Sequence, residues 1–168
     1  MVGAPLADAL VQQKERAMDS HPLFRLANQA DIETLMEYIR QFYAIDNYDF
    51  EESVARPVLE KIVHDPSLGR VWMIYLGEEA IGYIVITFGY SLEYGGRDAF
   101  IDELYIEDSY RNQGLGAKAM EFVLGACPGL DIHALHLEVE HTNIAGQKLY
   151  RKFDFEGHNR YLLTRKIP

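Results

Sequence analysis

Apolar residues in the first third of the chain recur at helical spacing. Across residues 31–43 they return every three or four positions, which places them on one face of an amphipathic helix. A second helix is predicted over residues 51–63, with Asp49 as a candidate N-terminal cap. The pattern therefore predicts two consecutive helices before any long apolar run.

The period then changes to that of strands. Apolar runs over residues 71–76 and 80–88, joined by a polar turn at residues 77–79, predict a β-hairpin. A loop over residues 89–98 is predicted to separate this hairpin from a further strand over residues 100–106. The middle of the chain thus predicts three successive strands.

Helices and strands alternate in the last third of the chain. A helix is predicted over residues 115–124, a strand over 134–139 and a helix over 143–150, with terminal strands around Phe155 and residues 161–163. The whole succession predicts a mixed α/β fold with a largely antiparallel central sheet flanked by helices.

Length and charge narrow the classes of function. The 168 residues suit one domain, predicted over residues 22–168, and residues 1–21 are predicted to be an N-terminal extension that is helical or disordered. The formal charge of -10 opposes binding to nucleic acid or anionic membranes and favours a cationic partner. The single Cys127 excludes an internal disulfide, and the polar opening segment is not typical of a signal peptide, so we expect a cytoplasmic protein. The six histidines lack a completing ligand set, so we predict no metal site.

The stretch Arg111-Asn112-Gln113-Gly114-Leu115-Gly116-Ala117 lies between a predicted strand and a predicted helix. The first N–H groups of a helix have no internal partner, so glycines at this point form a cradle that a pyrophosphate can approach. A P-loop is excluded because Lys118 is not followed by Ser or Thr, and a dinucleotide fingerprint is excluded because Ala119 stands where its third glycine would be. The pattern that remains is R-x-x-G-x-G.

A second pattern joins Asn143 and Tyr150, which are seven residues apart. This is about two helical turns, so both side chains can point to one face. Asn143 is also a candidate N-cap. Asp154 stands where a left-handed residue would end the helix, a conformation that Asp tolerates better than most residues other than glycine.

The two patterns together resemble the signatures of the GNAT superfamily of acetyl-CoA-dependent N-acetyltransferases, although the family usually has glycine where this chain has Asp154. The resemblance covers residues 23–166 and implies a first strand near residues 23–26. It also implies that acetyl-CoA lays its pantetheine arm along one strand and its pyrophosphate on the glycine turn, where Arg111 either adds charge or shapes the turn. The implied cofactor contacts are Leu104, Tyr105, Ile106, Arg111, Asn112, Gln113, Gly114, Leu115, Gly116, Ala117, Asn143 and Tyr150.

Acetyl transfer to an amine needs a base for the ammonium proton and an acid for the departing thiolate. Asp102 and Glu103 lie where the family often places an acidic residue. Strand alternation sends their side chains to opposite faces of the sheet. Only one of them can then face the amine, unless a bulge disturbs the alternation. Either can therefore be the base. The resemblance implies that Tyr150 is the acid, since phenol and thiol have ordinary pKa values of about 10 and 8.5.

The acceptor is expected between the first two helices and the loop after the hairpin, where the segments are both aromatic and acidic. Aromatic rings and carboxylates select ammonium groups. We predict Tyr43, Asp46, Tyr48 and Tyr90 as substrate-binding residues for a small cationic amine. The motif layout is similar to that of diamine and polyamine acetyltransferases. The alternatives are a protein lysine or N-terminal acceptor and a non-catalytic acyl-CoA-binding domain. Many relatives are dimers, so a homodimer is also expected.

Overall fold

The computed structural model describes residues 21–45 and 48–167. Two compact units make up the chain, Met1–Glu138 and Val139–Pro168. Of the extension predicted over residues 1–21, all but His21 lies outside the described residues.

The first unit is built on a five-stranded sheet whose strands follow the order of the chain. Neighbouring strands are antiparallel, except that the last two are parallel. This confirms the mixed α/β fold with a largely antiparallel sheet. The strands are β1 (Leu23–Leu26), β2 (Gly69–Leu76), β3 (Glu79–Ser91), β4 (Gly96–Ile106) and β5 (Ile132–Leu137). The helices are α1 (Ile32–Ile45), α2 (Glu52–His64) and α3 (Leu115–Ala126), with single 3-10 turns at Gln29–Asp31, Asp108–Tyr110 and Pro128–Leu130.

Apolar side chains cover both faces of this sheet. On one face, the buried residues of α1 and α2 pack against alternate residues of β2, β3 and β4. On the other face, Leu115 and Ala119 of α3 pack against Ile74 and Ile81. Because each strand alternates its side chains between the two faces, the helical spacing of α1 and the apolar runs of β2 and β3 fit the same two-sided core.

Two of the predicted elements are corrected in this unit. The N-cap of α2 is Glu51, without a side-chain hydrogen bond, so Asp49 does not cap the helix. The predicted loop over residues 89–98 is mostly strand, since β3 and β4 continue pairing through Tyr90 and Arg97. Cross-strand hydrogen bonds extend the hairpin beyond the end of its apolar pattern, which sequence periodicity does not reveal.

The second unit contains α4 (Ile144–Lys152), which begins after Asn143 as predicted. Asp154 has a φ of 61°, which confirms the predicted left-handed residue. The predicted terminal strands are wrong, because residues 153–167 form no strand. The side chains of Tyr161 and Leu163 are 94% and 88% exposed. An apolar composition does not form a strand unless the backbone can hydrogen-bond to a neighbouring strand.

Gly82→Ala is expected to lower the free energy of unfolding by about 3 kcal/mol. A Cβ at this position would lie 2.1 Å from the carbonyl oxygen of Tyr105, so β3 and β4 would have to separate. Gly125→Ala is the control, because nothing lies within 4 Å of its Cβ position in α3. It is expected to raise the free energy of unfolding by about 0.5–1 kcal/mol, since alanine favours a helix more than glycine does. Urea titrations measure both, and a Gly82→Ala protein as stable as the wild type would contradict the close approach of the two strands.

Candidate active site

The β4 strand carries one extra residue opposite β3. Val85 pairs with Glu103 and Ile86 pairs with Ile101, so Asp102 has no partner on β3. Such a bulge interrupts the alternation of side chains. The bulge is the exception that the sequence analysis allowed for, so strand alternation does not decide which of Asp102 and Glu103 faces the amine. The charges of both Glu103 and Asp102 act on the Tyr43 phenol, whose pKa is raised by burial and then by these two carboxylates.

The pairing of β4 with β5 ends at the same place. Its last pair is Ile101 with Leu137, and residues 102–106 of β4 continue without a partner on β5. On the side facing away from β3, this part of β4 leaves backbone groups that an extended ligand can meet. Leu104, Tyr105 and Ile106, the residues predicted to run beside a pantetheine arm, all lie in this stretch.

Glu103 is held against the sheet by a phenol from the neighbouring strand. Its Oε2 accepts a 2.6 Å hydrogen bond from the Tyr83 hydroxyl. Burial raises the pKa of the Glu103 carboxyl to about 7; the Asp102 charge also raises it, and hydrogen bonding by Tyr83 and Tyr43 opposes the rise. The carboxylate therefore titrates close to neutral pH, which is where a general base is most effective.

Asp102 differs from Glu103 in its surroundings. Its residue surface is exposed, although enough protein lies around the carboxyl to raise its pKa by desolvation. In contrast, Glu103 is half-buried and has a defined hydrogen-bond donor. The bulge thus places two carboxylates in succession, one anchored in the sheet and one toward solvent.

The glycine turn has the backbone shape expected of an anion cradle. Asn112 and Gly114 both adopt left-handed conformations, with φ values of 62° and 79°. Gly114 caps α3 without a side-chain bond, and nothing lies within 4 Å of where its Cβ would be, so the approach to the first turn of α3 is open. The remaining predicted residues are Gln113 in the turn and Leu115, Gly116 and Ala117 at the start of α3. The residues present fit a pyrophosphate.

Arg111 fixes this turn to the end of β4. Its Nε donates to the Ile106 carbonyl at 2.8 Å, and its guanidinium pairs with Asp108 at 3.0 Å. The guanidinium also lies 5.6 Å from the centre of the Tyr105 ring. Of the two roles left open by the sequence, the geometry supports shaping of the turn.

In the second unit, Asn143 caps α4 through a 2.8 Å bond from the Gly146 N–H to its side-chain oxygen. A Cβ at Gly146 would lie 2.9 Å from the Asn143 side chain, so the cap favours glycine at this position. Tyr150, two turns along the same helix, is half-buried and its ring lies 6.1 Å from that of Phe155. Burial raises the pKa of the Tyr150 phenol.

The predicted substrate-binding residues do not all come together. Tyr43 lies 6.2 Å from Tyr48 and 5.9 Å from Phe50, ring centre to ring centre, in edge-on contacts. Asp46 lies outside the described residues. Tyr90 is 84% exposed. It lies five residues along β3 from Val85, the partner of Glu103, which is about 16 Å along the strand. The structure therefore groups Tyr43 and Tyr48 and places Tyr90 near the tip of the hairpin.

Tyr83 is a site residue that the sequence analysis did not single out. It belongs to the apolar run of β3, and its side chain is fully buried. A tyrosine within an apolar strand was the signal that could have found it, because a buried tyrosine hydroxyl needs a polar partner. Its partner, Glu103, depends on the register between β3 and β4, which the sequence pattern does not give.

Comparison with known proteins identifies the class. The model of the Acetyltransferase (GNAT) family matches residues 32–155. The chain belongs to this family. Among curated proteins, no sequence gives a significant match.

Solved structures agree with this class. An integron cassette protein from the mobile metagenome of Cole Harbour Salt Marsh has a TM-score of 0.77 at 32% identity, over 86% of this chain and 90% of that chain. An aminoglycoside acetyltransferase from an uncultured soil metagenomic sample, in complex with sisomicin, has a TM-score of 0.71 at 13% identity. The similarity covers 90% of this chain and 99% of that chain. A ribosomal-protein-alanine N-acetyltransferase from Brucella melitensis biovar Abortus has a TM-score of 0.67 at 14% identity. The similarity covers 86% of this chain and 99% of that chain. The last two similarities concern the fold alone.

Across residues 21–45 and 48–167, no helix is long and apolar enough to cross a membrane. In the same residues, no group of three or more His, Cys, Asp or Glu side chains is arranged to hold a metal ion.

Glu103→Gln is expected to stabilise the protein at alkaline pH. Because native Glu103 keeps its proton up to a pKa of about 7, against an ordinary value of 4.5, the native state binds more protons than the unfolded chain between these values. The Glu103 carboxyl therefore lowers the free energy of unfolding as the pH rises from about 4.5 to about 7, and the neutral amide of glutamine removes this effect. Urea titrations should show a gain on the order of 2 kcal/mol at pH 8 that disappears near pH 4. A gain of the same size at both pH values would contradict the shifted pKa.

Proposed function

We propose that this protein is an acetyl-CoA-dependent N-acetyltransferase that acetylates a primary amine of a small cationic substrate by direct attack. The observation that carries the proposal is the half-buried Glu103, whose carboxyl pKa is about 7, on β4 where its pairing with β5 ends. Membership of the GNAT family supports the acetyltransferase class. The acceptor, the donor and the residue roles below are part of the proposal.

Donor binding uses the unpaired stretch of β4 and the turn that follows it. Bound acetyl-CoA supplies an activated acetyl thioester. Backbone groups of Leu104, Tyr105 and Ile106 would hold the pantetheine arm, and the N–H groups of residues 112–117 would hold the pyrophosphate. Arg111 keeps the strand end and the turn in register through its bond to the Ile106 carbonyl. The family resemblance implies that Asn143 would also hold the cofactor.

Two groups move protons, and a third stabilises charge. Glu103 removes a proton from the ammonium of the acceptor, directly or through one water, so that the neutral amine attacks the acetyl carbonyl. A backbone N–H at Leu104 stabilises charge on the carbonyl oxygen. As the carbon–nitrogen bond forms and the carbon–sulfur bond breaks, Tyr150 gives its proton to the thiolate. The second proton that the nitrogen loses on becoming an amide returns through water to the Tyr150 phenolate. The products are the acetylated amine and free CoA.

A cationic acceptor suits the residues around Glu103. Asp102 and Glu103 supply negative charge, and the rings of Tyr43, Tyr48 and Phe50 supply faces for a cation. The net charge of -10 favours the approach of such a molecule. A fold neighbour that is an aminoglycoside acetyltransferase in complex with sisomicin supports a small-molecule acceptor. A diamine or polyamine acceptor, a cytoplasmic location and a homodimer remain predictions.

Glu103→Gln is expected to lower kcat/KM by about 10²-fold or more, because the amide cannot accept the ammonium proton. Asp102→Asn, the matched change one residue away, should have a smaller effect because this acid is exposed and unanchored. The measurement is release of CoA thiol from acetyl-CoA with diamines, polyamines, aminoglycosides and lysine peptides. In the wild type, log kcat/KM should rise with pH up to a bend near 7, and this bend should be absent from Glu103→Gln.

Three results of this assay would count against the proposal. A larger loss in Asp102→Asn than in Glu103→Gln would transfer the role of base to Asp102. Turnover only on lysine peptides would indicate a protein acceptor. Tight binding of acetyl-CoA by calorimetry without turnover on any amine would indicate a non-catalytic acyl-CoA-binding domain.

Tyr150→Phe is expected to reduce kcat by about 10²-fold while the dissociation constant of acetyl-CoA stays within a few-fold of the wild type, since the phenol acts on the leaving sulfur. Tyr161→Phe is the control, because this tyrosine of the second unit is 94% exposed. Steady-state kinetics and calorimetry separate the two effects. If kcat is unchanged in Tyr150→Phe, another group protonates the thiolate.

A further inference from the structure

Tyr83 reaches Glu103 from inside the protein. Tyr83 pairs with Tyr105 across β3 and β4, and Glu103 pairs with Val85, so the two residues are diagonal neighbours on one face of the sheet. Long side chains can meet across such a diagonal. The phenol hydroxyl donates to Glu103 Oε2 at 2.6 Å, and the Tyr83 side chain has no exposed surface.

Two other aromatic rings hold the Tyr83 ring in place. The Tyr38 ring lies 6.4 Å away and nearly parallel, at 7°, and the Tyr105 ring lies 5.9 Å away at 32°. Tyr38 itself is anchored by a hydrogen bond to the Ala80 carbonyl, and Tyr105 by one to Gln41. A close-packed ring of this kind cannot swing its hydroxyl away without disturbing the core.

We propose that Tyr83 is a positioning residue for the acetyl transfer, holding Glu103 as an ionised carboxylate in the orientation that accepts the acceptor's proton. This inference rests on the proposed function. One carboxylate oxygen of Glu103 accepts from a hydroxyl whose ring is packed in the core, which sets the direction of the carboxylate. A hydrogen bond to a carboxylate also favours its ionised form.

The groups around Glu103 act in opposite directions. Asp102, its neighbour on β4, disfavours the ionised form by like charge, as does burial. Tyr83 from β3 and Tyr43 from α1 favour it by hydrogen bonding. Of these two phenols, Tyr43 lies at the aromatic cluster predicted to bind substrate, whereas Tyr83 is remote from solvent. Tyr83 can therefore be tested without altering the predicted acceptor contacts.

The test compares Tyr83→Phe with Tyr38→Phe. Both changes remove one hydroxyl from a buried ring of the same stack, but the Tyr38 hydroxyl binds the Ala80 carbonyl and not Glu103. Two readouts are used: the pH dependence of kcat/KM on the best amine, and the titration of the Glu103 carboxyl by carbon-13 NMR, assigned by its loss in Glu103→Gln. Calorimetry with acetyl-CoA checks that the donor site is intact.

In Tyr83→Phe, the bend in the pH profile and the NMR midpoint should both move up by about one pH unit. At pH 7 this gives a loss of kcat/KM of about 5-fold that recovers toward pH 9, with an unchanged acetyl-CoA dissociation constant. Tyr38→Phe should keep both midpoints of the wild type even if it is less stable. An unmoved midpoint in Tyr83→Phe, or an equal shift in Tyr38→Phe, would overturn the inference.

The proposed function and this inference fail in different ways. If the wild type acetylates no amine, the proposed function fails, and with it the role of Tyr83 in transfer. The NMR titration then still decides whether Tyr83 holds Glu103 in its ionised form. If the wild type is active and the Glu103 midpoint does not depend on Tyr83, the function stands and the inference is wrong.

Discussion

The interruption of β4 at Asp102 is the constraint on which the proposed active site depends. Ile101 is the last residue of β4 that pairs with β5, and Asp102 is the residue that has no partner on β3. The strand thus loses regular pairing on both sides within two residues. A strand paired with both neighbours along its whole length would have offered no unpaired backbone edge at this point.

The structure holds this irregular strand in place from both ends of its unpaired stretch. At one end, Tyr83 bonds Glu103, directly after the bulge. At the other, Arg111 bonds the Ile106 carbonyl and thereby ties the strand to the glycine turn. Gly82 allows β3 to lie close against Tyr105 between these two points. The base and the anion cradle are therefore parts of one rigid connection, which is what a site needs if it is to align a donor with a proton acceptor.

The sequence predicted features that depend on a few neighbouring residues. The amphipathic spacing of α1, the left-handed Asp154 and the Asn143 cap are local, and the structure confirms them. It could not predict the bulge, because the register of β4 depends on what β3 offers along its whole length. The length of the hairpin and the partner of Tyr83 could not be predicted for the same reason. Each is decided by contacts between distant parts of the chain.

The chemistry of Glu103 follows from effects that nearly balance. Burial and the Asp102 charge push its carboxyl toward the protonated form, while the phenols of Tyr83 and Tyr43 favour the ionised form. Without burial, the carboxylate would be too weak a base for an ammonium group. Without the phenols, its pKa would be higher, and at neutral pH more of it would hold a proton and could not accept another. A pKa of about 7 lies between these limits, so the burial of Glu103, although it lowers stability at alkaline pH, is what gives the proposed base its strength.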